Sequence, residues 1–95
     1  MNPEEKELLD AVTADDLEAV GRLLKKNKWL LKRVRVRDKE RNTLLHLAQS
    51  VEMVVVLWLN GANPKALNNR KQQPYESARE RGQLDVASAI SRFWP

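Results

Sequence analysis

The sequence predicts an all-α chain: three helix pairs stacked as a solenoid, with polar turn-like fingers projecting from it. Three observations predict this. In Asn42-Thr43-Leu44-Leu45-His46-Leu47-Ala48, a helix-capping threonine precedes three leucines and a residue small enough for close helix contact. Thirty positions after Thr43 comes Gln73-Pro74-Tyr75-Glu76-Ser77-Ala78, where Tyr75 and Ala78 repeat the spacing of Leu45 and Ala48. Leu8 and Ala11 show the same spacing near the start of the chain. A unit recurring at about 30 residues cannot bury its apolar face by itself, so it stacks on its neighbours.

The elements follow in order. Asn2-Pro3-Glu4-Glu5 combines a cap, a proline at the first helical position and acids at the positive helix end. Leu8, Leu9, Ala11 and Val12 give that helix its apolar face. Thr13-Ala14-Asp15-Asp16 reads as the cap of a second helix, in which Leu17, Val20, Leu23 and Leu24 keep helical spacing up to Lys25, Lys26 and Lys28. Trp29-Leu30-Leu31 reads as a turn tucked onto that helix. Val34-Arg35-Val36-Arg37 alternates apolar and basic residues and reads as extended. Asp38 to Asn42 is a polar turn. The second pair runs from Leu44 to about Ser50 and from about Glu52 to Leu59, ending at Asn60-Gly61. A polar loop from Ala62 to Lys71 follows. The third pair runs from Pro74 to Arg81, turns at Gly82 and continues from Leu84 to about Phe93.

Ninety-five residues, 42% apolar and 32% charged, fit one small helix-rich domain that buries roughly two thirds of its unfolded surface. There is no cysteine, so disulfides and thiolate metal sites are excluded, and an intracellular setting (cytoplasmic or nuclear) is expected. No apolar run is long enough to span a membrane; Val51 to Leu59 comes nearest and Glu52 interrupts it. The acidic start, Met1 to Glu7, lacks the parts of a signal peptide. The net charge of +4 hides an asymmetry: residues 25–41 hold nine basic and two acidic side chains, whereas residues 1–24 hold two basic and seven acidic.

Several motifs in this order resemble the ankyrin repeat family. Thr43-Leu44-Leu45-His46-Leu47-Ala48 looks like the signature of its first helix, with Leu44 where proline is usual. Gly61-Ala62-Asn63-Pro64 resembles the turn after its second helix. Gly82-Gln83-Leu84-Asp85-Val86-Ala87 and Asp16-Leu17-Glu18-Ala19-Val20 resemble the start of the second helix. The resemblance covers nearly the whole chain. The spacing departs from the family period of about 33 residues. Ala11 and Ala48 are 37 apart, and Ala48 and Ala78 are 30 apart. The missing residues fall at Ser50-Val51-Glu52, and Arg41 stands where a finger glycine is usual. Such irregularity fits a divergent natural chain or one with a re-engineered surface. Units are expected at about residues 3–37, 38–67 and 68–95.

No arrangement expected of a catalyst or metal site is present in the sequence. His46 is the one histidine, with no second ligand or nucleophile clustered beside it; it reads as a packed residue bonding across repeats. Asp15, Asp16 and Glu18 read as capping and solvating acids. No phosphate loop or nucleophile elbow occurs. The expected function, implied by the resemblance, is recognition of another protein through finger tips and the concave face of the first helices, with no catalysis and no cofactor. The basic block points to an acidic partner surface. The candidate binding residues are Arg33, Arg35, Arg37, Lys39 and Arg41 in the first finger and Asn68, Asn69, Arg70 and Lys71 in the second. The rival reading is an anionic polymer or membrane surface bound through residues 25–41, although aromatics for base stacking are lacking beyond Trp29. Val55, Trp58 and Leu59 form a candidate apolar interface, for a partner or a weak homodimer. Against that stands burial of the same face by rotation of the shortened turn.

Overall fold

The computed structural model describes residues 3–27 and 37–93. The expected Asn2 cap, the turn at residues 29–31 and the extended segment 34–36 lie outside the described residues. Among the described residues every regular element is helical: α1 (Pro3–Thr13), α2 (Leu17–Lys26), α3 (Leu44–Leu47), α4 (Val51–Leu59), α5 (Pro74–Glu80) and α6 (Leu84–Phe93). Among the described residues no helix is long and apolar enough to cross a membrane.

Consecutive helices pair, α1 with α2, α3 with α4 and α5 with α6. The pairs also pack on one another, through α1, α3 and α5 on one side and α2, α4 and α6 on the other. The core lies between these two rows. Leu8, Val12, Val20, Ala48, Met53, Val54 and Leu57 are fully buried there, with Leu24, Leu45, Ala78, Val86 and Ile90 nearly so. In α2 the buried positions Val20, Leu23 and Leu24 follow the i, i+3, i+4 pattern of a one-sided helix.

Two expected boundaries shift. Thr13 does not cap α2; it ends α1, and its hydroxyl donates back to the Leu9 carbonyl at 2.8 Å. Asp16 is the cap, its carboxylate accepting from the Ala19 amide at 3.1 Å. Likewise α3 stops at Leu47, because Ala48 is already extended (φ −58, ψ 130) and Ser50 caps α4 by accepting from the Met53 amide. The short turn thus leaves α3 with four residues.

Neighbouring pairs supply what this short helix lacks. Arg81 donates to the carbonyls of His46 (2.8 Å) and Ala48 (3.2 Å). Gln49 donates to the Thr13 carbonyl at 2.5 Å, and the Ser50 hydroxyl donates to Asp15 at 2.8 Å. Each bond fills an end-of-helix or turn group that has no partner within its own helix.

Left-handed backbone occurs where chain direction changes. Gly61 (φ 86) follows α4 and Gly82 (φ 78) follows α5. Asp15 (φ 55), two residues before α2 as Gly82 is two before α6, takes the same conformation without being glycine.

Candidate functional site: two equivalent fingers and the groove beside them

Two polar turns, residues 38–42 and 68–72, are built by one scheme. The Asp38 amide donates to the Asn42 carbonyl (3.2 Å) and the Arg41 amide to the Asp38 carbonyl (3.0 Å). Thirty residues on, Asn68 and Gln72, then Lys71 and Asn68, make the same two bonds at 3.1 and 3.0 Å. The side chains agree as well. Asp38 Oδ1 accepts from the amides of Glu40 (3.0 Å) and Asn42 (2.9 Å). Asn68 Oδ1 accepts from those of Arg70 (2.9 Å) and Gln72 (3.0 Å). An Asp or Asn that satisfies its own downstream backbone favours a turn over a helix or strand.

This three-residue turn closes with a residue in the left-handed region, for which glycine is the usual choice. Here the positions are occupied by Arg41 (φ 61) and Lys71 (φ 59). The sequence shows that the first finger lacks its glycine; the structure shows that the backbone keeps the glycine conformation regardless.

The fingers are tied together and to the helices. The Asn69 amide donates to the Glu40 carbonyl at 2.9 Å, joining one finger to the other. Arg37 donates from Nη1 to the carbonyls of Arg41 and Leu67, both at 2.8 Å. His46 is buried and joins the fingers to the helices: Nδ1 accepts from the Thr43 amide at 3.1 Å and Nε2 donates to the Gln72 carbonyl at 2.7 Å. In the next pair the Gln73 amide donates to Glu76 Oε1 at 2.9 Å, the carboxylate standing where the imidazole stands in α3. His46 therefore serves as a packed cross-link between segments, with both ring nitrogens engaged.

Between the fingers and the ends of α3 and α5 lies an open groove of about 510 Å³. Asp38, Glu40, Arg70, Glu80 and Arg81 give its walls both signs of charge. Arg70 pairs with Glu80 at 2.6 Å, and Gln72 also donates to Glu80. These two bonds, the guanidinium first, hold the Glu80 carboxyl below its ordinary range. Among the described residues no group of His, Asp and Glu could hold a metal ion.

The predicted site residues separate into classes. Lys39, Arg41, Asn69, Arg70 and Lys71 are exposed on the fingers. Arg33 and Arg35 lie outside the described residues. Arg37 is part of the finger framework. Asn68 is only 8% exposed, so it is not a tip residue: its Nδ2 donates inward to Asn42 (2.9 Å), Gln72 (3.1 Å) and Ser77 (3.3 Å). On the α4 face, Leu59 is 71% exposed, so rotation of the helix does not bury it. Val55 is half-buried, and Trp58 stacks on Phe93 with ring centroids 4.9 Å apart. Asp38, Glu80 and Arg81 escaped the sequence reading; the 30-residue offset of Thr43 and Gln73, extended backwards, pairs Asp38 with Asn68 and was the signal for the first of them.

Comparison with protein-family models gives no match, and comparison with curated proteins gives none either.

Proposed function

We propose that this chain is an ankyrin-type solenoid of three repeats that binds another protein through its finger tips and the adjoining groove, without catalysis. The observation that carries the reading is the pair of turns 38–42 and 68–72, built by one hydrogen-bond scheme 30 residues apart and tied tip to tip. A fixed, polar, one-sided ridge is a surface on which a partner can be read at low ordering cost. The motif resemblance in Thr43–Ala48, Gly61–Pro64 and Gly82–Ala87 supports the same class, and the rows of helices accommodate it. The partner presents acidic groups, matching Lys39, Arg41, Arg70 and Lys71, and the setting is intracellular.

The test is a binding titration of an immobilised glutamate-rich peptide and of duplex DNA, each at several salt concentrations. Preference for the peptide, weakened by K39E, supports the reading. A steep salt dependence with duplex DNA and no peptide binding favours the polyanion instead. Arg37 is unsuitable for this charge reversal, because losing its two carbonyl bonds would disturb the finger itself.

A further inference from the structure

Three described non-glycine residues hold positive φ, and two of them have no local reason to do so. Asp15 is short, and its carboxylate accepts the Ser50 hydroxyl at 2.8 Å. Short polar residues tolerate this conformation best. Arg41 and Lys71 are long, exposed and equivalent in position. Neither side chain makes a hydrogen bond or ion pair among the described residues. Glycine would sit there without strain and complete the turn in its usual form. The folded state therefore gains nothing visible from these side chains and bears the cost of them twice, at the same place in two fingers. Strain of this kind, held by the surrounding structure, is concentrated at sites that act on something outside the chain.

Resting on the proposed protein-binding function, we infer that Arg41 and Lys71 are a matched pair of cations that grips two carboxylates of one acidic peptide segment lying across both finger tips. The backbone turns that carry the pair are tied together. The residue before Arg41, Glu40, accepts the amide hydrogen of Asn69, and Arg37 braces the Arg41 carbonyl and the start of the second finger at Leu67. Two cations presented on coupled turns need little backbone ordering to meet a partner. Arg41 offers a planar fork suited to a carboxylate, and Lys71 a compact point charge.

The occupant is a peptide and not a nucleic acid strand because the surroundings are mixed in sign. Glu40 stands between Lys39 and Arg41, and Glu80, held ionised by Arg70 and Gln72, stands below. A strand with a phosphate at roughly every 3.4 Å would meet these carboxylates repeatedly. A peptide can space its acids to miss them. The described finger residues also offer no aromatic ring for bases to stack on.

The experiment compares the parent chain with R41G/K71G and R41K/K71R, by thermal melting and by titration with a glutamate-rich peptide and with duplex DNA. R41G/K71G is expected to melt about 3–8 °C higher than the parent as strain is relieved, and to bind the peptide at least tenfold more weakly. R41K/K71R is expected to keep the parental melting temperature and to bind the peptide within about threefold of the parental affinity. Undiminished peptide binding by R41G/K71G overturns the inference while leaving protein recognition by the rest of the ridge standing. A lower melting temperature or failure to fold in R41G/K71G overturns it too, since the side chains then support the fold. Parental binding to DNA in preference to peptide overturns the choice of occupant. Absence of parental binding to either probe removes the proposed acidic-partner function along with the inference.

Discussion

The Nε2–H of His46 donates to the backbone carbonyl of Gln72 across 2.7 Å, binding α3 to the base of the second finger 26 residues later. Because a carbonyl can only accept and the Thr43 amide can only donate, the ring is neutral, with its hydrogen on Nε2. Burial, opposed by the Gln72 bond, holds its pKa below the ordinary imidazole value.

A pH dependence follows. The unfolded chain takes up the proton near pH 6.5, about the ordinary imidazole value, before the folded chain does. Stability attributable to His46 is therefore complete above that pH and declines as pH falls towards the lower folded-state value. Urea midpoints measured between about pH 7 and 5 should fall in the parent, and H46Q should flatten that part of the curve. An unchanged slope in H46Q would locate the pH sensitivity elsewhere.

Asn68→Ala should destabilise the chain by about 1–3 kcal/mol, as the backbone amides of Arg70 and Gln72 lose their partner and the Ser77 hydroxyl loses one of its two. Equilibrium urea unfolding measures it. Asn69→Ala, one residue away and exposed, should lie within about 0.5 kcal/mol of the parent.

Arg81→Ala uncovers the carbonyls of His46 and Ala48 and should cost about 1–2 kcal/mol, the guanidinium being partly open to water. Arg81→Lys should recover only part of the loss, since one ammonium cannot reproduce the planar fork that spans both oxygens. Thermal melts of the two variants distinguish these outcomes.

Ala48→Leu places three extra carbons at a fully buried position and should cost about 1–3 kcal/mol by overpacking. A melt at the parental temperature would mean that the α3–α4 junction has more room than its burial implies.

Leu59→Glu should leave stability within about 0.5 kcal/mol of the parent, because 71% of that residue already meets solvent. Sedimentation reads the other half of the question. If the parent self-associates through the α4 face, L59E lowers its mass; if both run as monomers at high concentration, the patch with Val55 and Trp58 holds no second copy.

Helix starts and stops with local causes were legible from the sequence. Thr43, Pro74, Gly61 and Gly82 do what a cap, a first-turn proline and two left-handed glycines ordinarily do. Thr13 misled because its hydroxyl suits a cap, yet it bonds backwards to Leu9 and leaves the role to Asp16. The end of α3 was misplaced because Ala48 and Gln49 suit a helix; the truncated turn overrides that preference. Asn68 and Arg37 were the harder cases. A polar residue in a polar loop reads as exposed, and what buries Asn68 is an amide-to-amide bond with Asn42, 26 residues earlier. Arg37 reads as a free cation, and its bond to Leu67 spans 30 residues. Local patterns carry no information about partners at that separation unless the repeat offset is applied to every residue of the unit.

The brevity of α3 has a thermodynamic consequence. A single helical turn fixes more dihedral angles than its hydrogen bonds repay, so it has no tendency to persist by itself. The carbonyls of His46 and of the capping Ala48 close onto Arg81 behind it, and Gln49, two residues past its end, reaches Thr13 in front. The least self-sufficient segment therefore sits in the centre and lends its cohesion to both ends. Heating should not peel the outer pairs away in sequence, because losing either one removes bonds that hold the middle in shape. Calorimetric and van't Hoff enthalpies should agree, with all helical signal vanishing in one transition.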